Sequence, residues 1–239
     1  AVKDGDFYVL NGSKSWITNA GIADFAIIWA YVDDVIRGFV VEAGTPGMTM
    51  SPIHHKFSMR ASVTGQIFLN DCRIPAKNLL PGTEGLLSAL KCLNQARYGI
   101  AWGVLGAATA CYQEAVQHAK TRVMFGRPIG GFQLVQEKLA DMLTEITAGQ
   151  LLAWQLSRLM EKGTMHHSQV SLAKRKNVRL ALDVSRKARD ILGASGISLE
   201  YVSIRHMLNL ESVFTYEGTD SIHTLILGKQ ITGFDAIKG

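Results

Sequence analysis

The stretch "LLSALKCLNQARYGIAWGVLGAATACYQEAVQHAKTR", residues 86–122, decides how the rest of the chain is read. Apolar residues recur through it at helical spacing: Leu86, Leu90, Leu93, Ile100, Val104, Ala108, Cys111, Ala115 and Ala119. That predicts one helix of about 35 residues, close to 50 Å long at ~1.5 Å per residue. Downstream the same period returns near Gln133 to Lys162 and near Ser168 to Leu192, followed by a short helix before Glu211 and a last one beginning near Thr219. The loop "MFGRPIGG", residues 124–131, breaks the first helix from the second with three glycines and Pro128. Long helices joined by short connections predict an up-and-down four-helix bundle.

Upstream of the helix the texture is different. "FYVLNGSKSWITN", residues 7–19, reads as two short strand-like runs around Asn11-Gly12, a dipeptide suited to a tight hairpin turn. "DFAIIWAYV", "RGFVVEA", "GMTMSPI" and "QIFLNDCRI" follow at short spacing, with turn signals at Asp33-Asp34, Gly44, Pro46-Gly47 and Gly65. Six short strands within about 75 residues, and no helix among them, predict a small antiparallel β-barrel or sandwich. The change of texture between Pro75 and Gly85 places the expected domains at residues 1–80 and 81–239.

The totals narrow the classes of function. With 47% hydrophobic residues among 239, the chain can bury one large or two modest cores. The net charge is +5, but basic residues are interleaved with acidic ones, which argues against a nucleic-acid surface and suits a ligand carrying several phosphates. Cys72, Cys92 and Cys111 are odd in number and lack metal-type spacing, so a reducing, intracellular setting is expected. No stretch approaches the ~20 apolar residues of a membrane span, and no signal-peptide pattern opens the chain. A strand pattern begins almost at Ala1, so a further segment upstream is expected. His54-His55 and His166-His167 are adjacent pairs with no partner at i+3 or i+4, a poor arrangement for a metal, and His223 is expected to be structural.

One carboxylate stands out. In "VFTYEGTDSIHTLILG", residues 213–228, Glu217 lies between the aromatic Phe214 and Tyr216 and a glycine, Gly218. Thr219 or Asp220 is placed to cap the helix that follows. Apolar neighbours desolvate a carboxylate and strengthen it as a base once ionised. What such a base would deprotonate has to be read from the rest of the chain.

The strings "NGSKSWITN" (11–19), "CLNQARYGIAWGVLGA" (92–107), "RVMFGRPIGGFQLVQEKLADMLTEIT" (122–147), "ARDILGASGIS" (188–198) and "NLESVFTYEGTDSIHTLILGKQITG" (209–233) together resemble the middle and C-terminal parts of the flavin-dependent acyl-CoA dehydrogenases, in that family's order. The glutaryl-CoA branch is the most similar. The resemblance implies FAD as cofactor, an acyl-CoA thioester as substrate, and Glu217 as the base that takes the α-proton. Trp16, Ile17 and Thr18 would face the isoalloxazine ring. Arg122, Phe125 and Gln133 would reach the FAD of a neighbouring subunit, with Asp190, Ile191, Leu192, Gly193 and Ala194 on its adenosine side. Ala194 stands where family members usually carry a second glycine. Thr219, Asp220 and Ser221 would contact FAD. Asn94, Gln95, Ala96 and Arg97, with Tyr216 and Gly218, would line the substrate.

It further implies a homo-oligomer, a dimer of dimers that shares FAD sites, electron delivery to an electron-transferring flavoprotein, and a bacterial cytoplasmic or mitochondrial matrix setting. The family's all-helical N-terminal domain, and the arginine that meets glutarate's distal carboxylate, are not within these residues. Two other readings compete: a short-chain dehydrogenase or oxidase of the same fold, and a non-catalytic remnant that only self-associates. Thr18 after "WI" favours the dehydrogenase, and the retained Glu217, Trp16, Thr18, Arg122 and Gln133 argue against the remnant.

Overall fold

The computed structural model describes residues 1–236, which divide into two compact units meeting in sequence between Cys92 and Leu93. The strands end at Pro75 and the long helix starts at Leu86, so the first turns of that helix belong to the first unit.

The first unit carries β1 (Val2–Asp4), β2 (Phe7–Thr18), β3 (Phe25–Val32), β4 (Val35–Glu42), β5 (Met48–Pro52) and β6 (Thr64–Pro75). One antiparallel sheet has the order β1-β2-β6-β5, and β3 pairs with β4 in a second. Asp33 and Asp34, with φ of 45° and 66°, form the two-residue turn expected there, because both positions need left-handed backbone. Leu10, Ile67, Leu69 and Ile74 from one sheet meet Ile28, Phe39 and Val41 from the other in one core, and Tyr8 sets its ring edge-on to Phe39 at 5.1 Å. Six strands therefore form a small sandwich.

Two turn expectations fail. Asn11-Gly12 is no hairpin: β2 runs through it unbroken, and Asn11 instead donates to the Asp71 side chain at 3.0 Å and accepts from the Asp71 amide at 2.7 Å. Those bonds hold a bulge, where the register slips between Leu10↔Cys72 and Gly12↔Leu69. Gly65 lies within β6, and a Cβ there would meet the Ser51 carbonyl at 2.5 Å. Gly65 thus serves the close approach of β5 and not a turn.

The second unit contains most of α1 (Leu86–Thr121), a two-strand clip of β7 (Val123–Met124) and β8 (Arg127–Pro128), then α2 (Gln133–Glu161), α3 (His167–Ile191), α4 (Val202–Thr215) and α5 (Asp220–Thr232). Helices α1 to α4 share a core that includes Val104, Ala108, Cys111, Met142, Ala153, Val178, Val184 and Leu210, and α5 packs on α3. The expected stripe on α1 is buried only from Arg97 onward, through Ala101, Val104, Leu105, Ala108, Cys111, Ala115 and Ala119, while Leu86 is 56% exposed. Helix α4 does not stop before Glu211 but continues to Thr215, and so delivers Tyr216 directly as its C-terminal cap.

Capping explains where helices begin. The His166 ring accepts from the Ser168 amide while Gln169 returns a bond to the His166 amide, so half of one histidine pair is an N-cap. Helix α4 has no cap of its own, and Glu114 on α1 accepts from the Val202 and Ser203 amides and from the Ser203 hydroxyl.

Three helices meet at Gly149, where a Cβ would lie 2.6 Å from Leu180 Cδ2, 2.8 Å from Leu105 Cδ2 and 3.0 Å from Asn177 Oδ1. Overpacking a tight core costs about 1–3 kcal/mol, against about 1 kcal/mol that alanine gains over glycine in a helix. Gly149→Ala is therefore expected to lose net stability and lower the melting temperature by a few degrees. A melting temperature equal to or above the parent's would show that α1, α2 and α3 are not so close.

Candidate active site

The site forms where α4 ends and α5 begins. Residues 216–219 link the two, and Thr219 Oγ1 accepts from the Ile222 amide to start α5, as its sequence position suggested. Glu217 has φ of 54° and Gly218 of 93°, two left-handed residues in succession. Glycine adopts that conformation freely, but for glutamate it costs on the order of 1–3 kcal/mol and has to be held by its surroundings.

The surroundings are cationic. Arg97, 8% exposed on α1, donates from Nε to the Glu217 carbonyl at 2.7 Å. Lys174, 1% exposed on α3, donates from Nζ to the Tyr216 carbonyl at 3.0 Å and to the Gly218 carbonyl at 2.8 Å. His223, fully buried on α5, lies beneath Gly218: a Cβ at position 218 would fall 3.1 Å from His223 Nε2 and 3.2 Å from Arg97 Nη2. Burial drives the Lys174 ammonium down to about 8, helped by Arg97 and opposed by Asp220 and Glu217. Burial, then Lys174 and Arg97, bring the His223 imidazole to about 4, so it is neutral at pH 7. Burial also lowers Arg97, against the pull of Glu217, and raises the Tyr216 phenol.

Among the described residues Glu217 Oε2 is shielded from solvent and has no hydrogen-bond partner. The linker's peptide groups are thus tied down while one carboxylate oxygen keeps its lone pairs. Tyr216, the residue before Glu217, joins Ala96, Gly99, Ile100, Gly103, His206, Asn209 and Val213 in lining a groove of about 390 Å³ between α1 and α4. Small residues on α1 leave room there for an apolar chain next to the linker.

The structure gathers some of the expected residues and separates others. Arg97, Tyr216, Glu217, Gly218 and Asp220 come together. Ala96 lines the groove, Asn94 is half-buried, and Gln95 is exposed. Asp220 is committed within the chain: Arg179 donates to both of its oxygens at 2.6 and 2.5 Å, which holds its carboxyl below the usual range. Ser221 is exposed on the first turn of α5.

Asp190 lies near the far end of α3, roughly 24 Å of helix from Lys174 at 1.5 Å per residue, with its side chain bonded to Lys138 of α2. Ile191 and Leu192 are buried, whereas Gly193 and Ala194 are exposed. Arg122, Phe125 and Gln133 belong to the same end, because they flank the start of α2. Phe125 is 89% exposed at the tip of the β7–β8 clip with φ of 51°, and Arg122 has no carboxylate partner among the described residues. In the first unit Trp16 sits in a second bulge of β2, between Lys14↔Ile67 and Ile17↔Gly65, with φ of 59° and 66% exposure. Ile17 is half-buried and packs on the sandwich core, and Thr18 is exposed.

Lys174 and Arg179 were missed by sequence reasoning. The signal was present: Lys174 and Asn177 interrupt the buried stripe of Val170, Ala173, Val178 and Ala181 on α3, where a solvated lysine has no place.

Comparison with known proteins follows the same division. Residues 1–72 match the family described as "Acyl-CoA dehydrogenase, middle domain", and residues 83–232 match "Acyl-CoA dehydrogenase, C-terminal domain". The short-chain specific acyl-CoA dehydrogenase of Megasphaera elsdenii is 36% identical over 232 residues, covering 94% of this chain and 60% of that protein. The crystal structure of glutaryl-CoA dehydrogenase from Mycobacterium smegmatis superposes with a TM-score of 0.98 at 51% identity, over 99% of this chain and 61% of that one. A second structure of a glutaryl-CoA dehydrogenase from that organism, in complex with FADH2, has a TM-score of 0.98 at 47% identity, over 99% of this chain and 61% of that one. The chain thus spans about 60% of the length of the relatives it matches.

Proposed function

This chain belongs to the acyl-CoA dehydrogenase family, and from that membership we propose that it carries the catalytic base and part of the cofactor site of an FAD-dependent enzyme that dehydrogenates an acyl-CoA thioester. The observation that carries this reading is Glu217 Oε2: a shielded carboxylate oxygen without a partner, on a linker whose three carbonyls are held, next to a groove of small and apolar residues.

The chemistry assigned to the chain's own residues is a proton transfer. The thioester carbonyl acidifies the α-carbon, and Glu217 takes the α-proton at its free oxygen. Tyr216, beside it, and the wall of Ala96, Gly99 and Ile100 exclude water and accept the acyl portion. FAD, when bound, supplies the hydride acceptor for the β-carbon.

The residues present suit that cofactor. An exposed indole and a hydroxyl on one bulged strand, Trp16 and Thr18, can cover and hydrogen-bond a planar ring system. Arg122, an exposed guanidinium without a carboxylate partner, suits a pyrophosphate, and Phe125 and Gln133 stand near it in sequence. Gly193 and Ala194 are exposed for contact with an adenosine. Asp220, by contrast, has both oxygens on Arg179 and serves by anchoring α5, so that the Ser221 end of that helix is held in place. The separation along α3 between Glu217's surroundings and the Arg122–Asp190 end supports an oligomer in which one subunit's far end serves another's site. Electrons would leave to an electron-transferring flavoprotein.

For the acyl group, the likeness to glutaryl-CoA dehydrogenase structures at 51% and 47% identity supports glutaryl-CoA, oxidised and decarboxylated to crotonyl-CoA; a glutaryl-CoA dehydrogenase from Desulfococcus multivorans at 34% stands level with the short-chain relative at 36%, so turnover has to decide between the two substrates. The enzyme that contains this chain is expected to be yellow, to bleach with glutaryl-CoA faster than with butyryl-CoA, and to release labelled carbon dioxide from the former. Faster bleaching by butyryl-CoA with no gas evolved would assign it to the short-chain dehydrogenases or oxidases. A colourless protein that bleaches with neither would overturn the enzymatic reading.

A further inference from the structure

Buried charge is costly unless something nearby needs it. Among the described residues Lys174 is the largest fully buried cation, and no carboxylate there lies within ion-pair distance of it. Its two hydrogen bonds both go to the linker that bears Glu217, one to the carbonyl before that residue and one to the carbonyl after it. Arg97 takes the carbonyl in between. Three successive peptide oxygens thus end on two buried cations.

We propose that Lys174 is a positioning residue for the base: by holding the Tyr216 and Gly218 carbonyls, its ammonium fixes the first and last peptide planes of the left-handed pair Glu217-Gly218, on either side of the plane Arg97 holds, and so keeps Glu217 in its left-handed conformation, with Oε2 presented to the substrate. The proposal rests on Glu217 being the base.

The physical case has three parts. First, φ of 54° at Glu217 and 93° at Gly218 is a conformation the linker would leave if released. Second, bonds from an ammonium to carbonyls are about twice as strong as neutral ones, which is the scale needed to oppose strain of that size. Third, the geometry is bracketing. Loss of Arg97 would free only the plane between Glu217 and Gly218, whereas loss of Lys174 frees the planes at both ends of that left-handed pair. His223 fills the space beneath: the carbonyl it faces is that of Glu217, which Arg97 already takes, and neither ring nitrogen makes a well-aligned hydrogen bond among the described residues, so it is no substitute donor for the Tyr216 and Gly218 carbonyls. The plainer role for Lys174, as glue at the α4 C-terminus, predicts lost stability with no selective effect on turnover.

The test uses the FAD-loaded enzyme. Lys174→Met removes the donors at nearly constant volume. It is expected to slow flavin bleaching by acyl-CoA about thirty- to a hundredfold, with acyl-CoA affinity and FAD content within threefold of the parent. Amide hydrogen exchange at residues 217–219, measured without substrate, should rise at least tenfold, while exchange in the α3 core stays unchanged. Lys174→Gln keeps two N–H donors on a shorter, uncharged arm, so both values should fall between parent and Met. Parental bleaching and parental exchange in both variants would overturn the proposal, as would a loss of bleaching accompanied by equal loss of affinity and by faster exchange throughout α3. Should Lys174→Met fail to fold, Lys174→Gln decides: slower bleaching together with faster exchange at 217–219 supports the clamp, and any other combination overturns it. If Glu217→Gln left bleaching intact, the reading of the base would fall, yet the exchange result would still report whether Lys174 holds the linker.

Discussion

Glu217→Gln is expected to abolish flavin bleaching by acyl-CoA, with a loss of roughly 10³-fold or more, near the upper part of the range for a positioned general base, while FAD content and thermal stability stay at parental values. The amide has the size of the carboxylate and can occupy the same space, but it cannot accept the α-proton. Stability should hold because Glu217 Oε2 makes no hydrogen bond that the substitution would break, and because the bonds that fix the linker use the main-chain carbonyl of residue 217, which is unaltered. Single-turnover bleaching in stopped flow measures the effect. A mutant that bleaches within tenfold of the parent would remove Glu217 from its role and point to another acceptor lining the groove, of which His206 is the titratable candidate.

Gly218→Ala is expected to slow the same reaction by about ten- to a hundredfold, the scale on which small displacements of a catalytic group act, while the bundle stays folded. Two effects combine. With φ at 93°, an L side chain is strained by about 1–2 kcal/mol. The new Cβ would also stand 3.1 Å from His223 Nε2 and 3.2 Å from Arg97 Nη2. The guanidinium end can shift by a few tenths of an ångström, but the fully buried imidazole cannot retreat, so the linker is displaced and Glu217 moves with it. Measured kcat, acyl-CoA affinity and a thermal melt separate this from unfolding. Parental kcat would mean that the linker adapts without moving the base, and that the left-handed pair is not needed for turnover.

Features that depend on neighbours in sequence were legible without a structure. The helical period of residues 86–122 led to α1 within a residue of its observed end, Thr219 was recognisable as the cap of α5, and Asp33-Asp34 as a two-residue turn. Local backbone preference and hydrophobic periodicity act over a few residues, and each of these elements is specified by signals repeated at that range. Asn11-Gly12 marks the boundary of such reasoning. Its left-handed tendency was legible, but whether it makes a hairpin or a bulge depends on Asp71, which lies 60 residues away and binds the Asn11 side chain twice.

The candidate site divides in the same way. That the chain carries a lone carboxylate between an aromatic and a glycine, in strings that resemble the acyl-CoA dehydrogenases, was determined by the sequence alone. Only the tertiary structure decided what holds it. Arg97 reaches the Glu217 carbonyl across 120 residues and Lys174 reaches Tyr216 across 42. The tertiary structure also committed Asp220 to Arg179, 41 residues apart, which no local motif announces. The physical reason is burial. A lysine or an arginine in a sequence reads as a solvated charge until the packing of α1, α3, α4 and α5 takes away its water. Once desolvated, it must be satisfied by whichever carbonyls the fold brings within 3 Å, and here those carbonyls belong to the linker that carries the base.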